Sequence, residues 1–251
     1  MITIKSAREI DTMARAGRIL HATHQRMREI IRPGMSTDDL DAEAERFIRS
    51  HPGAIPSFLG LYGFPKTLCV SIDEEIVHGI PSPKRILKEG SIVSVDCGVC
   101  IEGLHADAAT TLAVGAITPE AQRLLDVTQA SLVAGIAASV VGNHVGDIGH
   151  AVQTVAEAAG FGVVRELVGH GIGTRFHEEP QVPNFGKPAR GPALRAGMTI
   201  AIEPMITEGK PATKTLKDKW TVVTADGKLA AHFEHTVAIL EEGPRILTDG
   251  S

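Results

Sequence analysis

Large aromatic residues are scarce in this chain. One Trp, one Tyr and seven Phe among 251 residues leave the core to aliphatic side chains. Cysteine is scarce too: Cys69, Cys97 and Cys100 make an odd count without the spacing of a disulfide framework, and they are too few for a four-cysteine zinc site. Cys97 and Cys100 have CxxC spacing, but within a strand pattern rather than at a helix N-terminus, where a thiolate would be stabilised. Reduced thiols and a cytoplasmic setting are the expectation. No apolar run reaches the ~18 residues of a membrane span, and the opening Met1–Lys5 has no signal or transit pattern. Basic charge is not in excess. The 25 Lys and Arg against 30 Asp and Glu give a net charge of −5, so neither nucleic acid nor a membrane surface is an expected partner.

What is present suits a globular protein. With 43% hydrophobic and 22% charged residues, the chain is long enough for one well-buried domain. Histidine is unusually frequent, at 11 residues, which fits metal chemistry when carboxylates accompany it.

The stretch Val93–Thr111 reads as two strands around a turn, because Val93 and Val95 alternate with Ser94 and Asp96, and Glu102-Gly103 supplies a turn. If Ile101-Glu102 were the loop, Asp96 would face Asp107 directly; if Glu102-Gly103 were, the two would be diagonal neighbours. Either way they share a face, with Cβ atoms about 5–8 Å apart. Carboxylates so close require a proton or a cation between them. A solvated edge hairpin would relieve them differently, but Val93, Val95, Ala106, Ala108 and Ala109 indicate a covered one.

In chain order, Ser6 and Glu9 form a capping box ahead of an apolar stripe through Ile31, interrupted by Gly17. Ser36 or Thr37 opens a second helix that ends near His51-Pro52-Gly53. Ala54–Phe58 and Leu68–Ile72 read as strands before the hairpin. Thr118-Pro119 opens a third helix to about Val140, and Asp147 caps a fourth over Ile148–Ala159. Strand patterns follow at Val163–Val168, Met198–Glu203 and Leu229–Leu240. Two helices then strands, twice over, describe an α+β fold of two similar halves, about 1–115 and 116–251, sharing one antiparallel sheet with helices outside. A site would lie between the halves, on the uncovered face.

Five residues recur on or beside these strands. His170 is bracketed by glycine in Gly169–Gly173, Glu203 closes an apolar strand before Pro204, and Glu234 sits within another. With Asp96 and Asp107 they make four carboxylates and one imidazole, and no Lys or Arg stands beside either Glu. Such a set suits hard-to-borderline ions, and two divalent ions roughly 3.5–4 Å apart would balance its charge. Spacing alone does not exclude His232.

These residues, with Phe176–Pro180, Ile202–Pro204, Phe233–Thr236 and His78–Pro81, resemble the motifs of type I methionine aminopeptidase, a pita-bread metallopeptidase, over Ser6 to Leu240. The 31 positions from Glu203 to Glu234 leave no room for the helical insertion of the type II enzymes. The resemblance implies a single catalytic domain over 1–251 with the pita-bread fold: two pseudo-symmetric halves sharing a curved antiparallel sheet. It implies that Asp96 holds one of two divalent ions (Co, Mn, Fe, Zn or Ni), that Asp107 and Glu234 bridge both, and that His170 and Glu203 complete the second. A metal-bridging hydroxide would attack the first peptide bond, with Glu203 shuttling the proton, His177 stabilising the oxyanion and His78 contacting the amide nitrogen. Phe58, Leu61, Phe64, Cys69, Phe176 and Trp220 would form the methionine pocket. The implied substrates are nascent polypeptides with an N-terminal Met, met near the ribosome by a cytoplasmic monomer.

Leu61 and Phe64 stand where many relatives carry Tyr, Asp73 where Asn is common, and Val77 where Cys is frequent. Other readings are a proline-cleaving peptidase or dipeptidase on the same fold, a binding protein that has lost catalysis, and a mononuclear iron oxygenase. The first usually carries a further N-terminal domain, the second should lack ligands that are all present here, and the third needs two His and one acid.

Overall fold

The computed structural model describes residues 1–251. The first half runs α1 (Ala7–Ile30), α2 (Thr37–Arg49), β1 (Ile55–Pro56), β2 (Leu68–Ile72), β3 (Glu75–Val77), β4 (Ile92–Ile101) and β5 (Leu104–Ala113). The second runs α3 (Pro119–Ala138), α4 (Val145–Ala158), β6 (Gly162–Val163), β7 (Gly169–Gly171), β8 (Glu178–Val182), β9 (Thr199–Ile202) and β10 (Met205–Thr207). It continues through β11 (Thr213–Thr215), β12 (Val222–Thr224), β13 (Ala230–His232), β14 (His235–Leu240) and β15 (Gly243–Ile246).

The helices begin for local reasons. Ser6 Oγ accepts from Glu9 N while Glu9 Oε2 accepts from Ser6 N at 2.7 Å, and Ser36 with Asp39 does the same for α2. Such boxes satisfy amide groups that a helix start leaves unpaired. The fourth helix starts earlier than Asp147 predicts. His144 is its N-cap, and Asp147 is the third helical residue, accepting from His144 N at 2.7 Å. An acid in the first turn looks the same in sequence from either position. Gly17, which weakens the pattern of α1, has a reason to be there: a Cβ would stand 1.8 Å from Leu247 O. The C-terminal segment crosses α1 against bare backbone.

Each half has its own apolar core. Leu20 and Met27 of α1 and Leu40 and Ile48 of α2 cover Val93, Val95, Cys97 and Val99 of β4. Leu124, Leu132 and Ile148 of α3 and α4 cover Ile200, Ile202, Val237 and Ile239. One sheet face is therefore dry, and the alternate residues, Asp96 and Asp107 among them, face the other way.

The curved surface is built from four hydrogen-bonded sets: β1-β4-β2 with β5 on β4, β13-β10-β6, β11-β12-β3, and β15-β14-β9-β7-β8. Two threonine hydroxyls stitch the halves. Thr236 Oγ1 accepts from Asp107 N at 2.9 Å and donates to Asp107 O at 2.8 Å. Thr111 Oγ1 accepts from His232 N at 2.9 Å and donates to His232 O at 2.8 Å. Each hydroxyl serves both the N–H and the C=O of one residue across the seam.

Several strands are shorter than their apolar runs. Ala54–Phe58 pairs only at Ile55 and Pro56. Val163–Val168 is a strand only at its start, because its antiparallel partner β10 begins at Met205, directly after Pro204, and offers nothing beyond. Leu229–Leu240 breaks at Phe233-Glu234, where Glu234 N leaves its own sheet and donates to Ala109 O at 2.9 Å. Cys97 and Cys100 lie three apart on β4 and so point to opposite faces, and both are free thiols.

Candidate metal centre and adjoining cavity

The hairpin register is Ile101↔Leu104, which makes Glu102-Gly103 the loop. Both loop residues have positive φ, 52° and 78°, as a tight hairpin turn requires. Asp96 pairs with Ala109 and Asp107 with Gly98, so the two acids are diagonal neighbours. The breaks at Glu203-Pro204, between β9 and β10, and at Phe233-Glu234, between β13 and β14, bring two more carboxylates to the same place. His170 arrives from the middle of β7 itself.

The five groups converge. His170 Nε2 lies 3.6 Å from Asp107 Oδ2 and 3.7 Å from Glu203 Oε1. Donor atoms of Asp107, His170 and Glu234 all lie within 4.8 Å of one another. These separations are too long for hydrogen bonds but suit groups arranged around an ion at about 2.0–2.2 Å from each. His170 Nδ1 is 2.9 Å from Gly171 O; donating its proton there leaves the Nε2 lone pair facing the carboxylates.

The electrostatics call for protons or a cation among the acids. Asp96 Oδ1, Asp107 Oδ1 and Glu234 Oε1 are buried without a hydrogen-bond partner. Burial pushes Asp96, Glu203 and Glu234 well above the usual carboxylate range, reinforced in each by the charge of Asp107, and raises Asp107 to about 8. No Lys or Arg lines the surrounding cavity. Burial also holds His170, His177 and His78 near 4 and His232 near 3, so the imidazoles are neutral at pH 7 and cannot balance the acids. Orphaned carboxylate oxygens with one oriented imidazole fit divalent ions by both charge and donor chemistry.

A cavity of about 150 Å³ opens beside this cluster, against the ~10–15 Å³ that one water needs. Its wall contains Phe58, Leu61, Phe64, Cys69, Phe176 and Trp220, and its polar side His78 and His177 with the five clustered groups. All thirteen residues singled out from the sequence therefore meet at one cavity. Phe58 meets Phe176 edge-on at 5.2 Å, and Phe64 meets Trp220 likewise at 5.1 Å. At the rim Tyr62, which the sequence reading passed over, stacks on His177 at 5.6 Å, and its hydroxyl is 3.3 Å from His177 Nδ1. The signal was available: it is the only Tyr, next to Leu61 in a glycine-flanked turn.

The departures are accommodated. Leu61 and Phe64 simply face the cavity as apolar wall, and Val77 is buried. Asp73 adopts φ 55° and accepts from Ser91 Oγ and Ile92 N, each at 3.0 Å. Asp tolerates that left-handed conformation as Asn does.

A model of metallopeptidase family M24 matches residues 11–241; this chain belongs to that family. Among its relatives is a methionine aminopeptidase of Clostridium perfringens, 54% identical over 248 residues that make up 99% of each chain. The crystal structure of the methionine aminopeptidase of Thermotoga maritima superposes with a TM-score of 0.97 at 42% identity, covering 99% of each chain. An Xaa-Pro dipeptidase from Bacillus anthracis shares the fold at 21% identity and a TM-score of 0.76, and this chain covers 62% of its length.

Proposed function

We propose that this protein is a methionyl aminopeptidase, which removes the N-terminal Met from peptides and nascent proteins by metal-dependent hydrolysis. The observation that carries this reading is the continuity of the five-donor cluster with an apolar cavity of about 150 Å³. A cavity of that size takes one unbranched side chain while the amine and first peptide bond stay at the cluster. The same cavity is flanked by Phe176, Phe58 and Cys69, soft neighbours for a thioether.

Two divalent ions are the number that matches four carboxylates. Asp96 with Asp107 and Glu234 would hold one, and Asp107 and Glu234 with His170 and Glu203 the other. When bound, they would polarise the scissile carbonyl and lower the pKa of the attacking water. The chain's own groups do the rest. Glu203 accepts the water's proton and returns it to the leaving amine. His177, at the cavity rim, donates to the carbonyl oxygen as charge develops there, and His78 meets the amide nitrogen. His78 is held for this at φ 59°, a conformation that costs energy in a non-glycine residue. We take residues 1–251 as one catalytic unit, with halves about 1–115 and 116–251, because the donors come from both. A cytoplasmic monomer working near the ribosome fits the reduced thiols and the lack of a helix long and apolar enough to cross a membrane.

The dipeptidase reading is disfavoured because the Xaa-Pro dipeptidase shares only the fold, at 21% identity, whereas a methionine aminopeptidase is 54% identical over 99% of each chain. An oxygenase centre is disfavoured by the acid-rich donor set, and a purely binding role by its completeness. The test is a Met-Ala-Ser peptide with Mn²⁺ or Co²⁺, analysed by mass. Loss of Met alone is expected; absence of turnover with every divalent ion at intact fold would defeat the proposal.

The pocket wall makes a second prediction. Gly98 sits under the cavity, where a Cβ would lie 2.8 Å from both Phe176 Cε2 and Ser57 Cβ and 3.1 Å from Phe58 Cε1. In Gly98→Ala those rings must move. Steady-state kinetics should show KM for Met peptides raised by about tenfold, the effect of 1–2 kcal/mol of overpacking. An unchanged KM would show that the two rings do not bound the Met site.

A further inference from the structure

One buried side chain has no hydrogen-bond partner on either of its polar atoms: the imidazole of His232. The residue is 2% exposed, with Nε2 3.8 Å from Glu234 Oε2 and 4.0 Å from Glu203 Oε2. Its backbone is fixed on both sides, by Thr111 Oγ1 and by the pairing with Met205. Only rotation of the side chain is left to it. A buried polar group without a partner costs stability, and an apolar side chain of that size would pack without the cost.

The neighbouring acids give the ring a use. The carboxylate of Glu203 receives no hydrogen bond from any protein group, and only its backbone carbonyl is engaged, by Asn184 Nδ2 at 2.9 Å. Two imidazoles stand near that carboxylate. His170 gives its Nδ1 proton to Gly171 O and presents a lone pair on Nε2. The N–H that can reach Glu203 therefore belongs to His232. We propose that His232 is a positioning residue: its Nε2–H donates to the Glu203 carboxylate when that group is ionised around bound cations, and fixes its orientation for ligation and proton transfer. This role rests on the metal reading above. A second-sphere donor of this kind typically contributes 10–100-fold to metal affinity.

The test compares His232→Leu with His232→Gln in the full chain, with His232→Met as a second apolar variant should the Leu protein not fold. Mn²⁺ is titrated by calorimetry, and the metal-stripped proteins are melted. The apolar variant should bind Mn²⁺ about 10–100-fold more weakly, while Gln, which keeps an N–H donor, recovers most of the affinity. Stripped of metal, the apolar variant should melt a few degrees above wild type, since it buries no unpaired group. Loss of affinity with gain of stability is a signature that a packing role would not produce. An apolar variant that binds Mn²⁺ like wild type, or a Gln variant as weak as the apolar one, overturns the role alone. A wild type that takes up no Mn²⁺ overturns the metal reading and this role with it.

Discussion

Glu203→Ala is expected to lower kcat by about 10²–10⁴, the usual contribution of a positioned general acid–base group, while the fold and KM stay close to wild type. The geometry picks out Glu203 among the four acids. Its side chain is 14% exposed, against 5% for Asp107 and 2% for Glu234, so it is more open than either to the cavity that all four acids line. It sits in the gap between β9 and β10, followed by Pro204, rather than in a sheet ladder. Glu203→Gln keeps the shape and removes the proton acceptor, and should fall nearly as far. Rates measured on a Met peptide at saturating metal check both variants; a kcat near wild type in either would take the proton-transfer role from Glu203.

Removal of metal should reverse the ordinary pH response of stability. Asp107 has its folded pKa raised by burial to about 8, and burial raises Asp96, Glu203 and Glu234 well above the usual carboxylate range too; unfolded carboxylates titrate near 4. Between those values the folded chain holds protons that the unfolded chain has released, so stability falls as pH rises. The buried imidazoles act oppositely, because their folded pKa values lie near 3–4, but they are neutral in both states above about pH 7. From pH 7 to 8 the acids act alone. Stripped protein should lose about 1.4 kcal/mol per pH unit for each excess proton. Protein loaded with Mn²⁺, whose ligands are already ionised, should not show that slope. Thermal melts with chelator or with Mn²⁺ across this interval make the comparison, and a stripped protein whose Tm holds steady or rises would contradict it.

Much of this was legible in the sequence because it is local. Capping boxes at Ser6 and Ser36 and the alternation through β4 and β5 announce themselves within a few residues. The two hairpin registers could not be separated by pattern, since both place Asp96 and Asp107 on one face; pairing of Ile101 with Leu104 decides it. The strand break at Glu234 was hidden because the apolar run continues through it, whereas Pro204 marks the one at Glu203. What ends the ladder at Glu234 is an acceptor in the other half, Ala109 O. The threonine stitches are hidden for the same reason: Thr236 and Asp107 are 129 positions apart. The donor set itself needed no register, only strands with acids that lack a basic partner. Tyr62, exposed in a loop outside any helix or strand period, had only its singularity and its flanking glycines to mark it, although it lines the cavity and stacks on His177.

The most direct measurement is anomalous scattering from crystals grown with Mn²⁺. Two peaks roughly 3.5–4 Å apart, enclosed by Asp96, Asp107, His170, Glu203 and Glu234, are the expected result. Density for a Lys or Arg side chain among those five groups, or Mn²⁺ bound only elsewhere, would contradict it.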